Sequence, residues 1–242
     1  MTRLPEKQIA IHPIEIILFF FVTLTLLIGT YVRNNLWKDE IALWTDCLKK
    51  SPGKDRCHLN LGFAYLEASQ YDKALEMTQE AIRINPKYAT AYHNLGIIYQ
   101  RRGDVRQAIL MLKKSLEFDP NLDKSYFALG GAYFENGQYK ESEEAFKEFI
   151  RAKPLYPDAH HLLGIVFSTQ KEYQKALQAF EKELQINPAN SHTHVNLGQI
   201  YWFIFHNRAK ALYHFKTALG LNPFLLDREE IQKLTDLIER TS

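Results

Sequence analysis

Cysteine is scarce in this chain, with Cys47 and Cys57 the only two among 242 residues. That is too few for a disulfide-built scaffold and, without histidines at finger-like spacing, too few for a structural zinc site. Strong charge of one sign is missing as well. The 30 Lys and Arg balance 28 Asp and Glu to a formal net charge of +2, and no basic stripe gathers on one face, which argues against nucleic acid as a partner. The chain has no G-x-S-x-G, no P-loop and no H-E-x-x-H. Its carboxylates fall on positions that read as solvated helix faces, so no catalytic constellation emerges, and neither an enzyme activity nor a cofactor is expected.

Charge is absent altogether from Ile16 to Val32 (IILFFFVTLTLLIGTYV). At 1.5 Å per residue this run spans roughly 25 Å, and the preceding turn brings it near the roughly 30 Å hydrocarbon core of a bilayer. Residues 14–32 are therefore expected to form a transmembrane helix after an N-terminal flank at 1–13. Pro13 suits its first turn, Glu15 its interface, and Tyr31 and Trp37 the place of interfacial aromatics. A cleaved signal peptide is the rival reading, but the run exceeds a typical h-region and no A-x-A-like site follows in GTYVRNN. Arg3 and Lys7 precede the run, while Arg33, Lys38, Lys49 and Lys50 follow it. That tally leans slightly towards a cytoplasmic carboxyl-terminal domain.

What fills the rest of the chain is self-similarity. A shift of 34 residues aligns LNLGFAY at Leu59, HNLGIIY at His93, FALGGAY at Phe127, HLLGIVF at His161 and VNLGQIY at Val195. With the glycine numbered as position 8 of each unit, Gly62, Gly96, Gly130, Gly164 and Gly198 follow Leu61, Leu95, Leu129, Leu163 and Leu197. Aromatics fall at position 11 as Tyr65, Tyr99, Tyr133, Phe167 and Tyr201. Spacings of three and four place these residues on one face of a first helix. A second helix carries Ala74, Ala108, Ser142 and Ala176 at position 20, and Thr78, Leu112, Phe146 and Phe180 at position 24. Pro86, Pro120, Pro154, Pro188 and Pro223 end the units, since proline cannot continue a helix. The glycine is expected to sit opposite the small residue at position 20, letting two backbones approach.

This pattern resembles the tetratricopeptide repeat over nearly all of the chain after the apolar run. The resemblance implies an all-α fold, a right-handed superhelix of helical hairpins. The units fall at 55–88, 89–122, 123–156, 157–190 and 191–225. In the last, Ala211, Phe215, Ala218 and Pro223 come one residue late, which puts an extra residue near the HNR turn. Residues 37–54, with Trp44, Cys47 and Pro52, read as half a repeat. Residues 227–240 read as a capping helix, with Asp227 as N-cap and an apolar stripe of Ile231, Leu234, Leu237 and Ile238.

The same resemblance implies that the first helices line a concave side, with ligand-facing residues at positions 2, 5, 6, 9, 12 and 13. Position 6 reads Asn60, Asn94, Ala128, Leu162 and Asn196. An amide donates and accepts at once, which suits the backbone of an extended peptide, although asparagine is also simply common at this place in the repeat. Around it stand Leu59, His93, Phe127 and His161 at position 5, Phe63 and Ile97 at position 9, Phe134 and Trp202 at position 12, and Arg101 at position 13. These twelve residues are the candidate protein- or peptide-binding set. The carboxylate clamp of some relatives expects a lysine where Leu59 stands, so it is excluded. His58, His160 and His194 share position 4 as planar packing residues with no acidic or cysteine partner at ligand spacing, so no metal is expected. The WFIF run from Trp202 to Phe205 is either a binding hot spot or packing beneath the cap. Cys47 and Cys57 are either small packing residues or, if the domain is exported, a disulfide.

Taken together, the residues point to a membrane-anchored, single-pass scaffold that holds a protein or extended peptide. A second resemblance opens an alternative. The junction YVRNNLWKDEIALWTDCLKKSPGKDRCHLNLG is similar to the carboxyl-terminal part of membrane mannosyltransferase-like proteins that carry such repeats. It implies a non-catalytic arm of a protein glycosyltransferase system, with the repeats on the extracytoplasmic, periplasmic side.

Overall fold

The computed structural model describes residues 24, 39–222 and 228–240. Among them twelve helices and no strand are found, in the order α1 Glu40–Lys50, α2 Asp55–Glu67, α3 Tyr71–Ile84, α4 Ala89–Arg101, α5 Val105–Phe118, α6 Asp123–Glu135, α7 Tyr139–Ala152, α8 Ala159–Thr169, α9 Tyr173–Ile186, α10 Ser191–Phe203, α11 Arg208–Leu221 and α12 Arg228–Arg240. No helix among the described residues is long and apolar enough to cross a membrane. The anchor expected at 14–32 lies outside the described residues apart from Leu24, which is helical and exposed.

Local chemistry accounts for the helix ends. Asp39 caps α1 by accepting from the N–H groups of Ile41 and Ala42, and Lys49 and Lys50 occupy its last turn, where cations complement the helix dipole. Asp104, Asn190 and Asn207 cap α5, α10 and α11 in the same way. Between the two helices of each hairpin the chain passes through one residue in the left-handed region. That residue is glycine in two units, Gly103 at φ 83° and Gly137 at φ 76°, but Ser69, Lys171 and His206 take the same place at φ 56°, 62° and 49°. Four hairpins close with a hydrogen bond back over five residues, as in Gln138 N–H to Tyr133 O and Glu172 N–H to Phe167 O. In the last hairpin Asn207 N–H reaches back six residues to Tyr201 O, which is where the extra residue is absorbed.

The chain divides into two compact units, at 1–84 and 85–242. In the first, Leu59, Leu61, Ala64 and Leu66 of α2 are buried with Ala74, Thr78 and Ala81 of α3. Cys47 and Cys57 form a disulfide between α1 and α2, with Cα atoms 5.8 Å apart, so the half repeat is stapled covalently to the hairpin that follows it.

The second unit holds the four hairpins α4–α5, α6–α7, α8–α9 and α10–α11, with α12 behind them. Its main core gathers Phe146, Val166, Phe180, Leu197 and Phe215, and Ile231 and Ile238 of α12 close it. A smaller cluster joins Leu112, Leu129, Ala132 and Ala145. The position-8 glycines face both the small residue at position 20 and the residue at position 24: a Cβ on Gly62 or Gly96 would lie 3.3 Å from the carbonyl oxygen of Ala74 or Ala108, and Ser142 donates to Gly130 O at 2.7 Å, but the tightest approach is to the side chain at position 24. A Cβ on Gly96 would lie 2.7 Å from Leu112 Cγ, on Gly130 2.9 Å from Phe146 ring atoms, and on Gly164 2.5 Å from Phe180 Cε1. The stripe of α12 is also shifted. Ile231, Leu234 and Ile238 face inward, but Thr235 is buried in their company while Leu237 is exposed, and Asp227 lies outside the described residues. Positions 231, 234, 235 and 238 follow the helical period, and Thr235 can be buried because its hydroxyl donates to Ile231 O at 2.7 Å.

Candidate peptide-binding face

The candidate residues on the first helices separate into those used in packing and those left open. In the first unit Leu59 is buried, Asn60 is half-buried and Phe63 is exposed.

In the second unit the histidines at position 5 turn out to tie neighbouring repeats together. His93 Nδ1 lies 3.0 Å from Ser125 Oγ, Ser125 Oγ lies 2.9 Å from Ser115 Oγ, and Ser115 donates to Ala89 O at 2.8 Å. The direction of the last bond orders the others. Ser115 has spent its proton on Ala89, so Ser125 donates to Ser115, and His93 donates Nδ1–H to Ser125. Burial, with Lys124 as the lesser cause, pushes the His93 imidazolium down to a pKa of about 3, so the ring is neutral. His161 repeats the arrangement, with Nδ1 2.7 Å from Thr193 Oγ1, and its pKa is likewise lowered by burial. A signal for these bonds was available in the sequence. Position 3 carries a hydroxyl, Ser125 or Thr193, one repeat after each histidine at position 5, whereas Ala159 follows Phe127.

Phe127 belongs to an aromatic cluster, with ring centres 5.8 Å from Phe146, 4.9 Å from Phe149 and 5.7 Å from Tyr156. Phe134 lies against Tyr139 at 5.5 Å. Trp202 and Phe205 pack on the main core, but Phe203 and Ile204 between them are exposed, so the WFIF run is divided between packing and surface. Two further ties escaped the sequence. Glu183, fully buried, accepts the backbone N–H of Asp158 at 2.9 Å and so caps α8, whose own Asp158 carboxylate is held by Asn190 at 2.8 Å. His194 Nδ1 lies 2.9 Å from His214 Nδ1, with His214 stacked on Tyr201 and pushed down to a pKa of about 4, first by burial and then by His194 and Lys210. Among the described residues no group of three or more His, Cys, Asp or Glu is placed to hold a metal ion.

Asn94, Ile97 and Arg101 on α4 remain. Spaced at i, i+3 and i+7, they share a helix face. Asn94 is only 7% exposed, yet its side-chain amide has no hydrogen-bond partner among the described residues. Ile97 is half-buried and Arg101 exposed. Beside them Gln100 donates to Glu135 at 2.6 Å and links α4 to α6. Asn196 on α10 is half-buried, and its amide too lacks a partner among the described residues. Half-buried Ala128 and Leu162 stand at the equivalent place on α6 and α8, so the polar rungs of this unit are separated by two apolar ones.

Similarity to known proteins lies in the repeat itself. Family models described as tetratricopeptide repeat match residues 127–191 and 89–122, and one described as TPR repeat matches 62–103. Among solved structures, a crystal structure of MamA is 27% identical, covers 66% of this chain and 94% of its own, and superposes with a TM-score of 0.63. YrrB, titled a TPR protein with an unusual peptide-binding site, is 19% identical over 78% of this chain and 97% of its own, with a TM-score of 0.66. PilF of Pseudomonas aeruginosa is 18% identical over 86% and 94%, with a TM-score of 0.70. No curated protein matches. The resemblance of the junction to mannosyltransferase-like proteins is not shown by these matches.

Proposed function

The chain belongs to the tetratricopeptide-repeat proteins, and on that premise we propose that it is an interaction scaffold whose first helices hold an extended segment of a partner protein. The observation that carries this reading is Asn94. Most of the side chain is covered, but the amide itself is not among the buried unpartnered groups, so its donor and acceptor still reach solvent and stand open to a ligand. An extended backbone laid along α4 offers both a carbonyl and an N–H to that amide, Ile97 gives it an apolar contact, and Arg101 gives it a charge at the edge. Asn196 would make the equivalent pair further along, and the apolar Ala128 and Leu162 rungs between them favour side chains over backbone contacts there. The peptide-binding site named for YrrB supports the same mode of use in a protein of this fold.

The disulfide between Cys47 and Cys57 supports an oxidising compartment for the domain, because such bridges persist outside reducing cytosol. The binding reading is tested by selecting peptides from a random displayed library on the full chain, then measuring the selected peptides against an Asn94→Ala, Asn196→Ala variant. We expect unchanged helicity and melting temperature with at least tenfold weaker binding. Equal affinity for the variant would remove the amides, and with them this reading.

A further inference from the structure

In three repeats a lysine at position 19 lays its ammonium over the aromatic ring at position 11 of the same repeat. Lys73 lies 5.3 Å from the centre of Tyr65, Lys175 5.5 Å from Phe167, and Lys210 4.8 Å from Tyr201. Phe167 receives a second ammonium, from Lys147 at 5.8 Å. The rings of Phe167 and Tyr201 are buried, and that of Tyr65 is half-buried. The second repeat carries the neutral Gln107 at position 19.

The third repeat reverses the charge. Glu141 stands where the lysines stand elsewhere, and among the described residues no Lys or Arg nitrogen lies over Tyr133, which is half-buried like Tyr65. In place of the covering ammonium there is a cavity of about 370 Å³, lined on the α6 side by Leu129 and Tyr133 and on the α7 side by Glu141, Glu144 and Glu148. The cations on this wall are engaged. Arg151 is paired with Glu148 at 2.5 Å, and Lys147 is paired with Glu143 at 2.5 Å as well as drawn over Phe167. The carboxylates nearest the ring are less well matched. Glu141 accepts from the neutral Gln138 amide at 2.9 Å and from its own backbone N–H but forms no ion pair within 4 Å, and Glu144 is exposed without a hydrogen-bond or ion-pair partner among the described residues. Both stand close enough to Tyr133 to join burial in raising its phenol pKa. From α5, Lys113, Lys114 and Glu117 enter a neighbouring cavity that shares Leu129 and Tyr133, and Lys114 is committed to Tyr92 at 5.7 Å.

We propose that the Tyr133 cavity receives a lysine or arginine side chain of a partner protein, completing from outside the ring–cation contact that the first, fourth and fifth repeats complete from within. The ring face attracts a cation through its quadrupole, and the carboxylates of Glu141 and Glu144 lie beside it to receive the charge. A cation over an aromatic ring contributes roughly 2- to 30-fold in affinity over an apolar side chain of the same length, depending on how far it is desolvated. The residues are not those of the peptide-binding face, so either site can fail without the other.

The test titrates the full chain, carrying ring-labelled tyrosine, with the probe acetyl-Gly-Lys-Gly-amide, its arginine counterpart, and the norleucine analogue that keeps the apolar stem without the charge. The Tyr133 ring resonances should shift saturably with lysine or arginine, several-fold more tightly than with norleucine, and less so as salt is raised. Glu141→Lys, which installs the residue found in three sister repeats, should abolish the response while leaving the fold intact. An equal response to norleucine, no response at all, or undiminished binding by Glu141→Lys would each overturn the proposal. So would a Lys113→Gln variant whose unliganded Tyr133 resonances already move as far as the titration moves them, since that would make Lys113 the cation of this ring.

Discussion

Gly130 and Gly131 are neighbours in the middle of α6, and replacing each with alanine should have opposite effects. In a helix interior alanine is favoured over glycine by about 0.8–1 kcal/mol, a gain open to both positions. At Gly131 nothing opposes it, because the nearest non-local atom to a new Cβ is Gln100 Nε2 at 3.8 Å, an ordinary contact. Gly131→Ala should therefore stabilise the chain by nearly the full amount. At Gly130 the Cβ would stand 2.9 Å from Phe146 Cγ, Cδ1 and Cε1, whereas carbon atoms rest at about 3.5–4.0 Å. The ring must recede, and it is 1% exposed and already lies edge-on to Phe127 at 5.8 Å. Overpacking of this kind costs about 1–3 kcal/mol, so the net effect should be a loss of up to about 2 kcal/mol. Gly164→Ala should fare worse than Gly130→Ala, since Phe180 Cε1 would stand at 2.5 Å. Urea denaturation followed by helix circular dichroism, with constant m-values, reads all three. If Gly130→Ala stabilises as much as Gly131→Ala, the assignment of position 8 as clearance for position 24 is wrong.

Three other measurements bear on the structure. His93 is held neutral down to a pH of about 3, while the unfolded chain protonates it near 6.5. No effect is expected above that value; below it the unfolded state binds a proton that the folded state refuses, so stability falls as pH falls, by about 2 kcal/mol at pH 5. The pair His93→Leu with Ser125→Ala, which imitates the apolar pairing of Phe127 with Ala159, should flatten that part of the pH profile, and an unchanged profile would exclude His93 as its source. Lys171→Gly should stabilise, by up to about 1 kcal/mol in the same urea assay, because a side chain at φ 62° is strained and glycine is not; a loss would mean the turn does not hold that conformation. Reduction of the Cys47–Cys57 bridge, which closes a short loop of sequence separation 10, should cost the first unit about 2–3 kcal/mol. Amide exchange in α1 should then rise before exchange in the second unit, and equal protection with and without reductant would contradict the staple.

The repeat was legible because each hairpin packs through the same columns 34 residues apart, so the Leu–Gly pair and the aromatic three residues on recur wherever a first helix meets its second. Relations between neighbouring repeats were harder to read, since they join different columns. His93 at position 5 looks like a groove residue and Ser125 at position 3 like a small packing residue until the two are set side by side. Glu183 is hidden as well, as a charge in a column of Ala81, Ser115 and Phe149 that takes its meaning from the backbone N–H of Asp158 at the start of the preceding helix. Turns announced by Gly103 and Gly137 are equally present at Ser69, Lys171 and His206, where residue type gives no warning.

This difference between columns and cross-links reshapes the candidate site. Position 5 was expected to face a ligand, but His93, Phe127 and His161 are drawn into contacts with Ser125, the Phe146–Phe149–Tyr156 group and Thr193. What stays available on α4 is the row Asn94, Ile97 and Arg101, an amide, an aliphatic chain and a cation within two turns. On the proposed reading, a segment held mainly along this row, with Asn196 as one further rung, is selected by a short motif rather than by a continuous asparagine ladder. Loss of Arg101 should then alter which sequences bind, whereas loss of Asn94 should weaken all of them alike, because an amide pairs with backbone and a guanidinium with side chains.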